Sequence, residues 1–160
     1  MGVMVRGPTP INILLVEDDP ADVELTRRGL GRGKVQNRLW VVGDGLDALA
    51  FLRREGPHHG VPRPDLVLLD LKLPHLDGRD VLLRIREEPR WAELPVVVLT
   101  GSDSEHEQLA ALAADGFLTK PVDFARLSEV ILGIAGLGWA IVRVPAAGRE
   151  AGVRRSATRR

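Results

Sequence analysis

Five short apolar runs alternate along the chain with amphipathic stretches. Unbroken apolar runs of this length are typical of strands buried on both faces of a parallel sheet. Each run is followed by a segment with helical spacing of apolar residues. The pattern therefore predicts five βα units and a parallel α/β sheet with right-handed crossovers. The predicted strands cover residues 11–16, 38–42, 66–69, 95–99 and 116–119.

Capping residues mark where the intervening helices begin. Asp19 stands before Pro20, and Asp77 stands before Gly78; we interpret both aspartates as cap or turn residues rather than ligands. Ser104 and Glu107 have the spacing of a capping box, which predicts a helix between the fourth and fifth strands.

The boundaries of the folded region follow from composition. We predict a tail over residues 1–10, one domain over 11–136, an extension over 137–145 that is a possible dimer arm, and a disordered basic tail over 146–160. The charges balance, with 22 Lys and Arg against 22 Asp and Glu, so no overall field favours a nucleic acid or a membrane. Cysteine is absent, and no apolar run is long enough for a membrane span, so we expect a cytoplasmic protein.

Chemically active side chains follow four of the strands. Glu17 and Asp18 follow the first strand, Asp70 the third, Thr100 the fourth and Lys120 the fifth. The carboxyl ends of parallel strands share one edge of the sheet, so these groups should converge there. Three carboxylates repel one another unless a cation such as Mg²⁺ neutralises them. An aspartate beside a metal ion and a lysine can accept a phosphoryl group as a nucleophile.

These residues, taken together, carry a family resemblance. The span from Ile11 to Gly136 resembles a bacterial response-regulator receiver domain. The resemblance implies a flavodoxin-like fold with strand order 2-1-3-4-5. The matching motifs are Glu17-Asp18, Asp70 with Leu73-Pro74 and Asp77-Gly78, Thr100-Gly101, and Lys120-Pro121.

The resemblance implies a phosphoacceptor and a metal site. Asp70 would accept the phosphoryl group, with Asp18 as a direct Mg²⁺ ligand. Glu17 would be the second acid, acting partly through water, and the backbone carbonyl of Lys72 a further ligand. Many receivers carry an uncharged residue at the position of Lys72, so this lysine is expected to alter the lifetime of the phosphate.

The resemblance also implies a phosphoryl clamp and a switch. Lys120 would bind the phosphoryl group, across a peptide bond to Pro121 that is usually cis in the family. Thr100 would be the switch hydroxyl and Phe117 its aromatic partner, so that the last α-β-α face is remodelled. Gly101 replaces a more usual Ala, Ser or Thr and is expected to widen access to Asp70.

The implied function is that of a single-domain signalling protein. It would take its phosphoryl group from a sensor histidine kinase and catalyse only its own phosphorylation and dephosphorylation. A narrower likeness joins it to the regulators that partner bacterial phytochrome kinases, in which the C-terminal segment is associated with homodimers. That likeness rests on the loop over 56–63, the connector over 89–94 and the extension over 139–145.

Three alternatives stay open at this point. The chain could be a receiver scaffold that works without phosphorylation, or a phosphatase with an aspartyl nucleophile of the dehalogenase type. Such phosphatases place a second Asp where this chain has Lys72, which argues against that reading. The basic tail could also bind nucleic acid, in which case binding would depend on salt and be lost on truncation.

Overall fold

A computed structural model describes residues 10–32, 36–101 and 113–133, and its centre is a five-stranded sheet. All neighbouring strands are parallel, and their order is β2-β1-β3-β4-β5. The predicted fold class and strand order are confirmed. The strands are β1 (Ile11–Val16), β2 (Asn37–Val42), β3 (Leu66–Asp70), β4 (Val96–Thr100) and β5 (Gly116–Thr119).

Four α-helices are described, none long and apolar enough to cross a membrane. The structure does not describe residues 102–112, so the helix predicted from Ser104 lies outside the described residues. Residues 1–9 of the predicted tail over 1–10, and the predicted segments 137–145 and 146–160, also lie outside them. The helices are α1 (Pro20–Gly31), α2 (Gly45–Arg53), α3 (Gly78–Glu87) and α4 (Phe124–Leu132), with 3₁₀ turns at Gly56–His58 and Pro89–Trp91.

Aspartate side chains cap helices α1, α2 and α3; in α2 the cap is Asp44, which accepts from the N–H of Asp47 at 2.7 Å. The Asp19 carboxylate accepts a hydrogen bond from the backbone N–H of Ala21 at 2.8 Å, at the start of α1. Asp77 accepts one from the N–H of Arg79, also at 2.8 Å, at the start of α3. These bonds satisfy backbone donors that a helix leaves unpaired at its first turn. The interpretation of Asp19 and Asp77 as caps is confirmed.

Both faces of the sheet are covered by apolar packing. Along β1, Leu14 and Val16 point into one core, and Ile13 and Leu15 point into the other. Helices α2 and α3 cover the first face, and α1 and α4 cover the second. All residues of β3 and β4 are buried, which explains why their sequences are continuous apolar runs rather than alternating ones.

Arg86, near the end of α3, holds together the turn that leads into β4. Its guanidinium donates to the backbone carbonyls of Leu94 and Ala113 at 2.7 Å each. It donates over longer distances to the carbonyls of Trp91, the last residue of the 3₁₀ turn, and of Ala92, which follows it. It also pairs with Asp115 at 2.7 Å, and the same carboxylate oxygen accepts from the Val96 N–H at 2.8 Å. Arg86 therefore anchors the start of β4 and the approach to β5.

Candidate functional site

The site lies at the carboxyl edge of the sheet, where β1 and β3 are neighbours. Glu17 and Asp18 directly follow β1, and Asp70 is the last residue of β3. One carboxylate oxygen from each residue lies within 4.8 Å of the others. Glu17 and Asp70 are buried, whereas Asp18 is exposed. The cluster is thus a set of oxygen donors that is open to solvent on one side.

Lys120 completes the cluster from the end of β5. Its backbone N–H donates to the carbonyl of Thr100 at 2.9 Å, which joins the ends of β4 and β5. Its ammonium donates to Glu17 Oε1 at 2.5 Å and to Asp70 Oδ2 at 2.8 Å. The peptide bond from Lys120 to Pro121 is cis. The lysine therefore reaches from an edge strand to the phosphoacceptor predicted on the central strand.

Asp22 is a member of this cluster that the sequence analysis missed. It lies in the first turn of α1, and its Oδ2 accepts from the Lys120 ammonium at 3.0 Å. An acidic residue in a first turn is ordinarily explained by the helix dipole, so the local sequence does not distinguish Asp22 from such residues. Its position could have indicated the contact, because α1 begins at the edge of the sheet that carries Glu17 and Asp18.

Burial and a neighbouring carboxylate shift the pKa of Glu17. Burial raises the pKa of Glu17 from 4.5 to about 7, and the neighbouring Asp70 adds to the rise while Lys120 opposes it. Burial lowers the pKa of Lys120, but hydrogen bonds to Asp70, Glu17 and Asp22 outweigh it and hold that pKa above the ordinary lysine value. Near neutral pH the ammonium is therefore charged.

The loop after β3 fixes the Asp70 carboxylate from the other side. Asp70 Oδ1 accepts from the backbone N–H of Lys72 at 3.1 Å. Gly78 lets α3 approach this loop, because a Cβ there would lie 2.3 Å from the Asp70 carbonyl oxygen and 2.6 Å from Leu71 Cα. The Asp77-Gly78 pair thus combines a cap with a close backbone approach, and only glycine fits the second position.

The residues predicted to form the switch lie in β4 and β5. Thr100 is buried at the end of β4, opposite Thr119 in the parallel register. Phe117 is half-buried in β5 and packs against the core that contains Trp91. Gly101 is exposed, and a Cβ built there would meet no described atom within 4 Å. The roles given to Thr100 and Phe117 stay predictions.

The donor set fits a hard divalent cation. Carboxylate oxygens are the ligands that Mg²⁺ and Mn²⁺ accept, and the described cluster offers neither sulfur nor imidazole. The raised pKa of Glu17 reflects the difficulty of burying its charge beside Asp70, which a cation would relieve. With the Lys120 ammonium beside it, the same edge can also receive an anionic group.

Comparison with known proteins places this geometry in a family. The family model of the response regulator receiver domain matches residues 13–132. Response regulator Rcp1 of Synechocystis sp. is 41% identical over 140 residues, which cover 86% of this chain and 95% of Rcp1.

Solved structures agree with that match. The bacteriophytochrome response regulator RtBRR is 37% identical with a TM-score of 0.76, over 94% of this chain and 93% of that one. The phosphorylated cyanobacterial phytochrome response regulator RcpA is 38% identical, with a TM-score of 0.65, over 79% and 91% of the two chains. The Mn²⁺-bound form of Rcp1 is 42% identical, with a TM-score of 0.64, over 76% and 89%. The chain belongs to the response regulator receiver family.

Proposed function

We propose that the chain is a response regulator that accepts a phosphoryl group on Asp70. The observation that carries this proposal is the Lys120 ammonium, which donates to Asp70 Oδ2 at 2.8 Å inside a cluster with Glu17 and Asp18. A buried carboxylate with a lysine and two further acids is suited to nucleophilic attack on phosphorus. The phosphorylated state of the relative RcpA supports the same assignment.

The transfer uses groups that the fold already orients. A carboxylate oxygen of Asp70 attacks the phosphorus of a phosphohistidine, the P–N bond breaks, and its electron pair returns to the imidazole. The Lys72 N–H and the Lys120 ammonium hold the two carboxylate oxygens before the attack. Lys120 then donates to a phosphoryl oxygen, where its charge stabilises the transferred group. Thr100, buried at the end of β4, is the proposed partner of a second phosphoryl oxygen.

Mg²⁺ is the proposed cofactor. Its ligands would be Asp18, Asp70, Glu17 in part through water, and the backbone carbonyl of Lys72. When bound, the ion supplies positive charge that offsets the carboxylates and the incoming phosphoryl oxygens. The Mn²⁺-bound form of Rcp1 supports this choice, since Mn²⁺ takes the same oxygen donors.

We further propose that the phosphoryl donor is a phytochrome-type histidine kinase, as the names of RtBRR and RcpA suggest. The chain would act in the cytoplasm as a regulator similar to Rcp1, of which the match covers 95%, and would turn over no external substrate. Phosphorylation would move Thr100 and Phe117 and alter a homodimer built on the last α-β-α face. The receiver domain over 11–136 would carry the chemistry, the extension over 137–145 would add to the dimer, and the basic tail would bind no nucleic acid.

The test is the intact mass of the protein after incubation with acetyl phosphate, with and without Mg²⁺. We expect one added phosphoryl group on the wild type with Mg²⁺, and none on Asp70→Asn. Asp65→Asn is the matched control: Asp65 precedes the same strand and accepts from the Asn12 N–H at 2.8 Å, far from the cluster, so this variant should be phosphorylated.

Three results would contradict the proposal. An adduct that persists in Asp70→Asn would place the acceptor elsewhere. No adduct on the wild type, together with no response of oligomeric state to beryllofluoride, would favour a scaffold that works without phosphorylation. Sustained hydrolysis of a chromogenic phosphate ester that depends on Asp70 would instead favour the phosphatase reading.

A further inference from the structure

The Lys120 ammonium has three carboxylate partners, one for each of its N–H donors. Glu17 and Asp70 lie at 2.5 and 2.8 Å, and Asp22 lies at 3.0 Å. The first two side chains are almost entirely buried, whereas 31% of the Asp22 side chain is exposed. Asp22 therefore approaches the lysine from the solvent side of the cluster.

The three carboxylates differ in whether they stay available to Lys120 during the proposed reaction. Glu17 and Asp70 belong to the acidic cluster that could hold a metal ion, and Asp22 does not. Metal binding would engage Glu17, and phosphorylation would convert Asp70 into a neutral acyl linkage at its attacking oxygen. Of the three acceptors, Asp22 alone keeps both its charge and its availability throughout.

We infer that Asp22 is a positioning residue, which holds the Lys120 ammonium at the phosphoryl site while Glu17 and Asp70 change partners. This inference rests on the proposed function. A lysine side chain has four rotatable bonds and loses its position readily when its partners leave. A carboxylate in the first turn of α1 is fixed by the helix backbone and can restrain it, so that the cation is in place when the phosphoryl group arrives.

A helix-dipole role for Asp22 would not require this contact. Carboxylates in a first turn favour a helix from many orientations, and α1 already has Asp19 as its cap. The 3.0 Å contact instead joins residues that are 98 positions apart in the chain. It links the start of α1 directly to the end of β5.

The experiment compares Asp22→Ala and Asp22→Asn with the wild type in two titrations. One uses Mg²⁺ alone, and the other uses beryllofluoride, a stand-in for the phosphoryl group, at saturating Mg²⁺. We expect Asp22→Ala to weaken beryllofluoride binding by about tenfold, because Lys120 loses its restraint. Asp22→Asn should lose less, because its amide oxygen can still accept. Mg²⁺ affinity should change by less than about threefold in both variants.

Glu24→Gln is the matched control. It removes one negative charge from the same helix, where Glu24 pairs with the exposed Arg28 at 3.1 Å and not with Lys120. This variant should bind beryllofluoride like the wild type.

The outcomes separate this inference from the proposed function. Tighter or unchanged beryllofluoride binding in Asp22→Ala would overturn the inference, and so would an equal loss in Glu24→Gln. A parallel loss of Mg²⁺ and beryllofluoride affinity would also overturn it, since it would show a general effect on charge or fold. A wild type that binds Mg²⁺ but neither beryllofluoride nor a phosphoryl group would contradict the proposed function itself.

Discussion

Two largely buried cations organise different parts of this molecule, and they are satisfied in different ways. Arg86, with 16% of its side chain exposed, donates to four backbone carbonyls and one carboxylate. Lys120, with 21% exposed, donates to three carboxylates. The charge of Arg86 has one carboxylate as its partner, whereas the charge of Lys120 has three.

The difference separates a structural cluster from a functional one. Neutral carbonyls and one acid accept hydrogen bonds from all three nitrogens of the Arg86 guanidinium, so its single charge is paired within the fold. Three carboxylates surround Lys120, with Asp18 close by. Burial, together with the neighbouring Asp70, raises the pKa of Glu17. An arrangement that is unfavourable by itself is expected where a cation and a phosphoryl group are to be bound.

The largest effect on stability should come from Arg86→Met. Removing the guanidinium leaves Asp115 without its cation and several carbonyls without a donor, which we expect to lower the free energy of unfolding by about 3–4 kcal/mol. Urea unfolding monitored by circular dichroism measures this change. Arg28→Met, which breaks an exposed helical pair with Glu24, should lower it by less than about 1 kcal/mol.

The same variant tests how separate the two clusters are. Below its unfolding transition, Arg86→Met should still take up one phosphoryl group on Asp70. Loss of phosphorylation in a folded Arg86→Met protein would show that the Arg86 network also shapes the acidic site.

The next largest effect is a dependence of the folding stability on pH, which arises from Glu17. Its pKa is raised from 4.5 to about 7 by burial and Asp70, so the folded state retains a proton that the unfolded state has released. The stability linked to this proton is fully present below pH 4.5 and is lost as the pH rises through about 7. Without divalent ions we expect a loss of about 2–3 kcal/mol from this group between pH 5 and pH 8.

Denaturant unfolding at several pH values in the presence of a chelator measures this loss. Glu17→Gln cannot titrate, so the difference between its profile and that of the wild type isolates the contribution of Glu17. Parallel profiles for the two proteins would contradict the raised pKa. Saturating Mg²⁺ should reduce the loss, because the ion replaces the proton as the partner of Glu17.

The smallest effect on stability comes from two matched Asp→Asn substitutions, which should change the free energy of unfolding in opposite directions. Asp70→Asn relieves repulsion from Glu17 and Asp18 and should raise the metal-free stability at pH 8 by about 1 kcal/mol. Asp115→Asn weakens the pair with Arg86 and should lower stability by about 1–2 kcal/mol. Thermal unfolding of both variants without divalent ions checks the signs. A lower stability in both would remove the distinction between the clusters.

Much of the fold could be predicted from local patterns. The five apolar runs are parallel strands in the structure, as predicted, because strands buried on both faces must be apolar throughout. Asp19 and Asp77 cap helices, as predicted, because capping depends only on residues that are close in the sequence. The strand order was expected from the family resemblance, since periodicity by itself does not say which strands are neighbours.

The sequence by itself determined which groups lie at the carboxyl edge of the sheet. Glu17, Asp18 and Asp70 lie at the ends of two strands, and Lys120 follows the last strand. Only the tertiary structure decided that Asp22 shares the lysine and that Arg86 joins the turn before β4 to Asp115. Both residues lie within helices, where a charged side chain is ordinarily read as a solvated one. Their partners are distant in the chain, so packing the helices against the sheet decides which of these charges are buried and paired.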